Sequence, residues 1–171
     1  MVRIVIGNLI SLAASVFLCL GGLVRSKKNI YFFQFLECLF LIISQLVFLQ
    51  IAGAVSMLFG AIRNLVAAKD GYSLQLMVFT FISIGVFGIA MNTGGVIGLI
   101  PVLASLFLTV TAYKLRDVIK IRIAVMINLL MWVVYSFIIL DVVTGLTNTV
   151  ALGLNAYTLI KELRYRTKSE A

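Results

Sequence analysis

The chain has 171 residues, 63% of them hydrophobic and only 12% charged, with a mean hydropathy of +1.17. Soluble domains run at about 45–50% apolar and about 25% charged, so a water-soluble globular domain is excluded and one integral membrane domain accounts for the length. The net charge of +8 comes from basic residues in short groups between apolar runs, as orientation signals are distributed. They are not clustered for nucleic acid.

A bilayer core about 30 Å thick needs about 20 apolar residues per helix. The first predicted span is 4–23. With one Arg, an apolar run and small residues, it also has the features of a secretory signal peptide; a repeat partner later in the chain argues that it stays. "VRSKKN" separates it from the second span, 30–50, and the third, 51–68, follows almost without a break. "KDGYS" precedes the fourth, 73–91, and "MNTGG" the fifth, 95–113. "KLRD" leads to the sixth, 119–140, and the seventh is 142–161, with a basic tail over 162–171. The turns at Gln50/Ile51 and Leu140/Asp141 compete with long bent helices, because the apolar run hardly stops there.

The charges test this count. Arg25, Lys27, Lys28, Arg63, Lys69, Lys114, Arg116, Lys120, Arg122 and the tail residues Lys161, Arg164, Arg166 and Lys168 fall on one side of a seven-span chain. Arg3 is alone on the other. The positive-inside rule then places the N-terminus outside and the C-terminus in the cytoplasm.

At one constant offset, spans one to three align without a gap on spans five to seven. Val5–Gly7 meets Val96–Gly98, Arg25 meets Arg116, Leu49 meets Leu140 and Asn64 meets Asn155. Polar positions also correspond: Glu37 with Asn128, Ser44 with Tyr135, Ser56 with Thr147. The fourth span has no partner. Three spans end on the side opposite to where they began, so a linker helix is needed to start a second copy in the same orientation. The expected fold is all-α, integral to the membrane, with seven transmembrane helices in a 3+1+3 parallel repeat: 4–68, linker 73–91, 95–161.

Glu37 and Arg63 lie roughly 10 Å and roughly 8 Å from the same membrane face at 1.5 Å per residue, on consecutive antiparallel helices. An ion pair between them is predicted; the alternative is that Arg63 snorkels to the headgroups. Gln34, Glu37, Leu41, Ser44 and Gln45 share one face of span two. Asn128, Trp132, Tyr135 and Ser136 form the matching face of span six, and Thr144, Asn148 and Asn155 mark span seven. Facing each other, these stripes would make one central cavity for a polar, uncharged or amphipathic ligand. The competing role is helix packing, for which Ser, Thr, Asn and Gln also serve.

"AGAVSMLFGAIRNLV" (52–66), "GLIPVLASLFLTVTAY" (98–113) and "GLNAYTLIKELRYR" (153–166) resemble the YgjV family of bacterial inner-membrane proteins. That family is in turn distantly similar to the SWEET, semi-SWEET and PQ-loop transporters, whose parallel repeats hold substrate near the midplane. The resemblance implies a small-solute carrier in the bacterial inner (plasma) membrane. It also implies substrate contact by third-helix asparagines, here Asn155 and its partner Asn64. Those relatives carry a proline in the first helix of each repeat. Here Pro101 is the only proline, a hinge candidate in the second repeat alone, with Gly7, Gly21 and Gly22 as substitutes in the first.

The expected substrate contacts are therefore Trp132, Asn155, Asn128, Tyr135, Asn148 and Asn64. Cys19 and Cys38 fall in apolar runs with neither disulfide nor metal spacing. With no His, no carboxylate pair in the spans and no phosphate-binding glycine loop, neither an enzyme nor a cofactor is expected. The expected partners are a small-molecule substrate and membrane lipid, with a homo-oligomer left open. The rival function is a non-transporting membrane scaffold or regulatory partner.

Overall fold

A computed structural model describes residues 2–170, with side chains through Tyr165. The expected tail residues Arg166 and Lys168 thus have side chains outside the described residues, as does all of Ala171. Seven helices and no strand occur among the described residues: α1 (Val2–Leu23), α2 (Lys27–Val47), α3 (Ile51–Ala68), α4 (Leu74–Ala90), α5 (Gly95–Lys114), α6 (Val118–Ile138) and α7 (Val142–Glu170). α1, α2, α3, α5 and α6 are long and apolar enough to cross a membrane. α4 is a shorter apolar helix, and α7 continues unbroken through the expected tail.

Local chemistry sets the helix boundaries. α2 starts earlier than hydropathy suggests because Ser26 caps it, its Oγ accepting from Asn29 N at 3.1 Å. Asp117, at the aligned position before α6, does the same for Ile119 N at 3.2 Å. α2 ends in a left-handed turn at Leu49, φ 60°, where Gln50 N donates to Gln45 O at 2.8 Å. α6 ends alike at Leu140, φ 63°, where Asp141 N donates to Ser136 O at 3.0 Å. A leucine in this conformation costs about 1–2 kcal/mol. The two strained leucines occupy aligned positions, and both junctions are true breaks rather than bends.

Six helices close a ring in the order α1, α2, α3, α5, α6, α7 and back to α1. α4 lies outside it against α3 and α5. Exchanging α1, α2 and α3 for α5, α6 and α7 leaves the ring's neighbours unchanged. The close contacts need small residues: a Cβ on Gly88 of α4 would lie 2.8 Å from Val102 of α5. Gly7 packs on the Phe48 ring and Gly22 on Asn155 and Leu154 of α7. Pro101 is buried in α5, which runs straight through it in sequence.

The molecule is apolar outside and polar inside. Leu12, Leu39, Leu58, Ile82, Leu130 and Val150 are exposed on successive helices, whereas Ser44, Gln45, Ser56, Thr109 and Ser136 are fully buried. That distribution suits a hydrocarbon solvent, where polar side chains are satisfied between helices. The ends differ in charge. At one, Lys27 pairs with exposed Asp70 at 2.8 Å and holds its carboxyl below the usual range. Arg25, Lys28, Lys69, Lys114, Arg116 and Lys120 belong to helix ends or loops on this same basic end. At the other, Val143 N donates to Asn8 Oδ1 at 3.0 Å and Thr93 Oγ1 to Leu49 O at 3.5 Å.

Candidate functional site

Inside the ring lies a cavity of about 30 Å³. Gln34 and Glu37 reach it from α2, Arg63 and Asn64 from α3, Asn128 and Trp132 from α6, and Asn148 from α7. The helical period brings these groups to one place: Gln34, Glu37 and Leu41 are spaced by three and four residues, Asn128 and Trp132 by four. About 10–15 Å³ suffices for one water, so the space holds roughly two waters and no metabolite. An apolar cluster including Ile30, Tyr31, Ile121, Val125 and Leu129 closes it toward the basic end.

A polar layer closes the other side. Tyr135 stands edge-on to Trp132, with ring centroids 5.4 Å apart and planes at 89°. Its hydroxyl donates to Gln45 Oε1 at 3.2 Å, joining α6 to α2 across the ring. Ser11 Oγ meets Ser44 Oγ at 2.7 Å and donates to Asp141 Oδ2 at 3.0 Å. Asp141, expected only as a turn residue, is fully buried and caps α7 by accepting from Thr144 N at 3.2 Å. Burial raises its carboxyl pKa against the lowering effect of the Thr144 and Ser11 hydrogen bonds.

The expected ion pair does not form. Glu37 and Arg63 line the same cavity, but no ion pair or hydrogen bond joins them among the described residues. Arg63 Nε donates to Asn64 Oδ1 at 3.1 Å, and Nη1 to Ser105 O at 3.0 Å and Thr109 Oγ1 at 3.4 Å. The guanidinium, only 3% exposed, reaches across to α5 and satisfies itself on neutral oxygens. Snorkelling is equally absent. A charge near the bilayer core costs about 2.5–3.5 kcal/mol on insertion scales, and Glu37 has no hydrogen-bond partner among the described residues to offset it.

Of the six expected substrate contacts, Trp132, Asn128, Asn148 and Asn64 line the cavity, whereas Tyr135 and Asn155 do not. Asn64 also donates to Cys38 Sγ at 3.6 Å. Asn155 is held elsewhere: its Oδ1 accepts from Arg122 Nη1 at 2.9 Å and its Nδ2 donates to Ala151 O at 2.8 Å. Arg122, expected as one of the orientation charges at the start of the sixth span, is instead fully buried within α6. It donates to Gly22 O at 3.1 Å and Val24 O at 2.8 Å, and its Nε lies 3.5 Å from Glu162 Oε2. Arg63 thus ties α3 to α5, and Arg122 ties α6 and α7 to α1. The signal for Arg122 was its helical phase, seven residues before the cavity-lining Leu129.

Three buried amides in the cavity wall are incompletely satisfied: Gln34 Oε1, Asn128 Oδ1 and Asn148 Nδ2 have no partner among the described residues. Unpaired buried polar atoms are few in native structures; three of the nine among the described residues face this cavity, and the others, such as Ser56 Oγ and Ser136 Oγ, lie outside its lining. No group of His, Cys, Asp and Glu able to hold a metal occurs among the described residues. The sequence model of the Imp-YgjV family, described as a bacterial inner membrane protein, matches residues 5–166. No curated protein and no solved structure matches the chain.

Proposed function

The chain belongs to the Imp-YgjV family of bacterial inner membrane proteins, and on that premise we propose that it carries a small polar solute of no net charge across the inner membrane. The observation that carries this reading is the closed cavity at the ring's centre. It is lined by one Trp, four amides and two charged side chains in a molecule whose outer surface is apolar. Stability alone gives no reason to gather incompletely bonded amides in one place, since apolar residues would fill the space at lower cost. Closure on both sides favours a carrier that opens alternately over a permanently open pore.

In this reading the protein is of the SWEET-like type, built as a 3+1+3 parallel repeat with α4 as linker. The exchange-invariant ring, the aligned caps Ser26 and Asp117 and the aligned left-handed leucines support a duplication. All seven helices cross the membrane. The concentration of Lys and Arg at one end favours a cytoplasmic C-terminus and an outside N-terminus. Reporter fusions at the α3–α4 and α4–α5 loops test that orientation.

A thermal-stability screen of the purified protein against sugars, nucleosides, vitamins, amino acids and lipid headgroups tests the function. A bound solute raises apparent stability by RT ln(1 + [L]/Kd), about 2.7 kcal/mol at a hundredfold excess over Kd. The expected result is a hit that disappears in Trp132→Ala. Stabilisation unchanged in that variant would remove the cavity from the binding role, and a stable co-purifying protein without any hit would favour a scaffold.

A further inference from the structure

We infer that the cavity, which is too small for a metabolite in this closed state and must widen as the carrier opens, recognises a small zwitterion, a solute with one ammonium and one carboxylate such as a neutral α-amino acid, held between Glu37 and Arg63. This rests on the carrier reading and names its substrate class. The two side chains line one cavity and carry opposite charges when both are ionised, yet each is without a charged partner among the described residues. Glu37 makes no hydrogen bond at all there, and the three bonds of Arg63 go to neutral oxygens through Nε and Nη1.

A sugar would compensate neither charge. A simple cation or anion would compensate one and leave the other exposed to low dielectric. A zwitterion supplies both countercharges and adds no net charge. The amides fit the same ligand. Gln34 and Asn128 each hold an unpartnered oxygen, and Asn148 an unpartnered nitrogen, with the three side chains 7%, 8% and 2% exposed. Gln34 lies one helical turn before Glu37, and Asn128 is the aligned counterpart of Glu37 on α6. The Gln34 oxygen beside Glu37, and the Asn128 oxygen on α6 across the ring, accept from ammonium N–H groups. The Asn148 amide donates to the carboxylate.

Trp132 lines this cavity and is the chain's single tryptophan, so its fluorescence reports occupancy. The protein in lipid nanodiscs is titrated with neutral L-amino acids, with methylamine and acetate as single-charge controls, and with glucose and sucrose. We expect a saturable change with at least one amino acid and none with the controls or sugars. In Glu37→Gln and in Arg63→Gln the apparent Kd should rise at least tenfold. Arg63→Lys, which keeps the charge, guards against loss of fold and should retain part of the affinity. A saturable response to a sugar alone, no response to any probe by the folded protein, or an amino-acid response unchanged in Glu37→Gln overturns the inference. Uptake of the same probes into proteoliposomes separates the two claims. Amino-acid binding without flux leaves this site standing and sinks the carrier reading; sugar binding with flux does the reverse.

Discussion

Replacing Arg122 by Met keeps a long side chain of similar reach and removes every donor. In the structure those donors serve Gly22 O, Val24 O, Asn155 Oδ1 and the Glu162 carboxylate. Interhelical hydrogen bonds in membranes average about 0.6 kcal/mol, so four of them give about 2.4 kcal/mol. The Glu162 carboxylate is then left without its partner, and breaking a buried pair costs about 3–5 kcal/mol in total. We expect Arg122→Met to destabilise by about 2.5–4 kcal/mol, a fall of roughly 60- to 700-fold in the folding equilibrium constant at 1.4 kcal/mol per decade. Reversible unfolding in mixed detergent–SDS micelles, followed by helical circular dichroism, measures it. Lys120→Met is the control, because Lys120 is exposed at the same helix end. Equal stability of the two variants would refute the buried role of Arg122 and return it to a solvated orientation charge.

Burial raises the pKa of Asp141 in the folded state. The folded protein then holds that proton to higher pH than the unfolded chain, so stability should fall as pH rises through and above the ordinary carboxylate range. Asp141→Asn keeps an oxygen for Thr144 N and should flatten that dependence in thermal-melt profiles; an unchanged slope would place its origin elsewhere. Leu49 and Leu140 hold left-handed backbone with side chains 57% and 56% exposed. Glycine at either position should stabilise by about 0.5–1 kcal/mol in the same SDS assay, whereas a loss would mean that the leucine side chain matters more than the turn. Gly88→Ala drives a Cβ against Val102 and should destabilise by about 1–3 kcal/mol, unless α4 shifts freely over α5.

The helices were legible in the sequence because hydropathy and span length are additive over many residues. The starts of α2 and α6 were legible in principle too, since Ser26 and Asp117 are capping types just before apolar runs. The turns at Leu49 and Leu140 were placed only to within a few residues, as leucine is not a turn former and only tertiary packing holds it at positive φ. Helical phase put Glu37, Asn128, Trp132 and Asn148 on inward faces, and the structure places them on one cavity. Phase does not give the layer, which is why Tyr135 and Asn155 were expected at a cavity they flank. Depth does not give direction: Glu37 and Arg63 lie at comparable heights, but Arg63 turns toward Ser105 and Thr109 of α5. Arg122 was missed because a charge beside a basic loop resembles the exposed charges around it.

Counterflow into proteoliposomes tests the carrier directly. Vesicles preloaded with the stabilising solute are diluted into trace labelled solute, and accumulation is compared among wild type, Trp132→Ala and Ile82→Ala, a change on the lipid-facing side of α4. We predict transient accumulation with wild type and Ile82→Ala and its loss with folded Trp132→Ala. Accumulation no higher than in protein-free vesicles, or equal accumulation in all three proteins, would contradict transport through the central cavity.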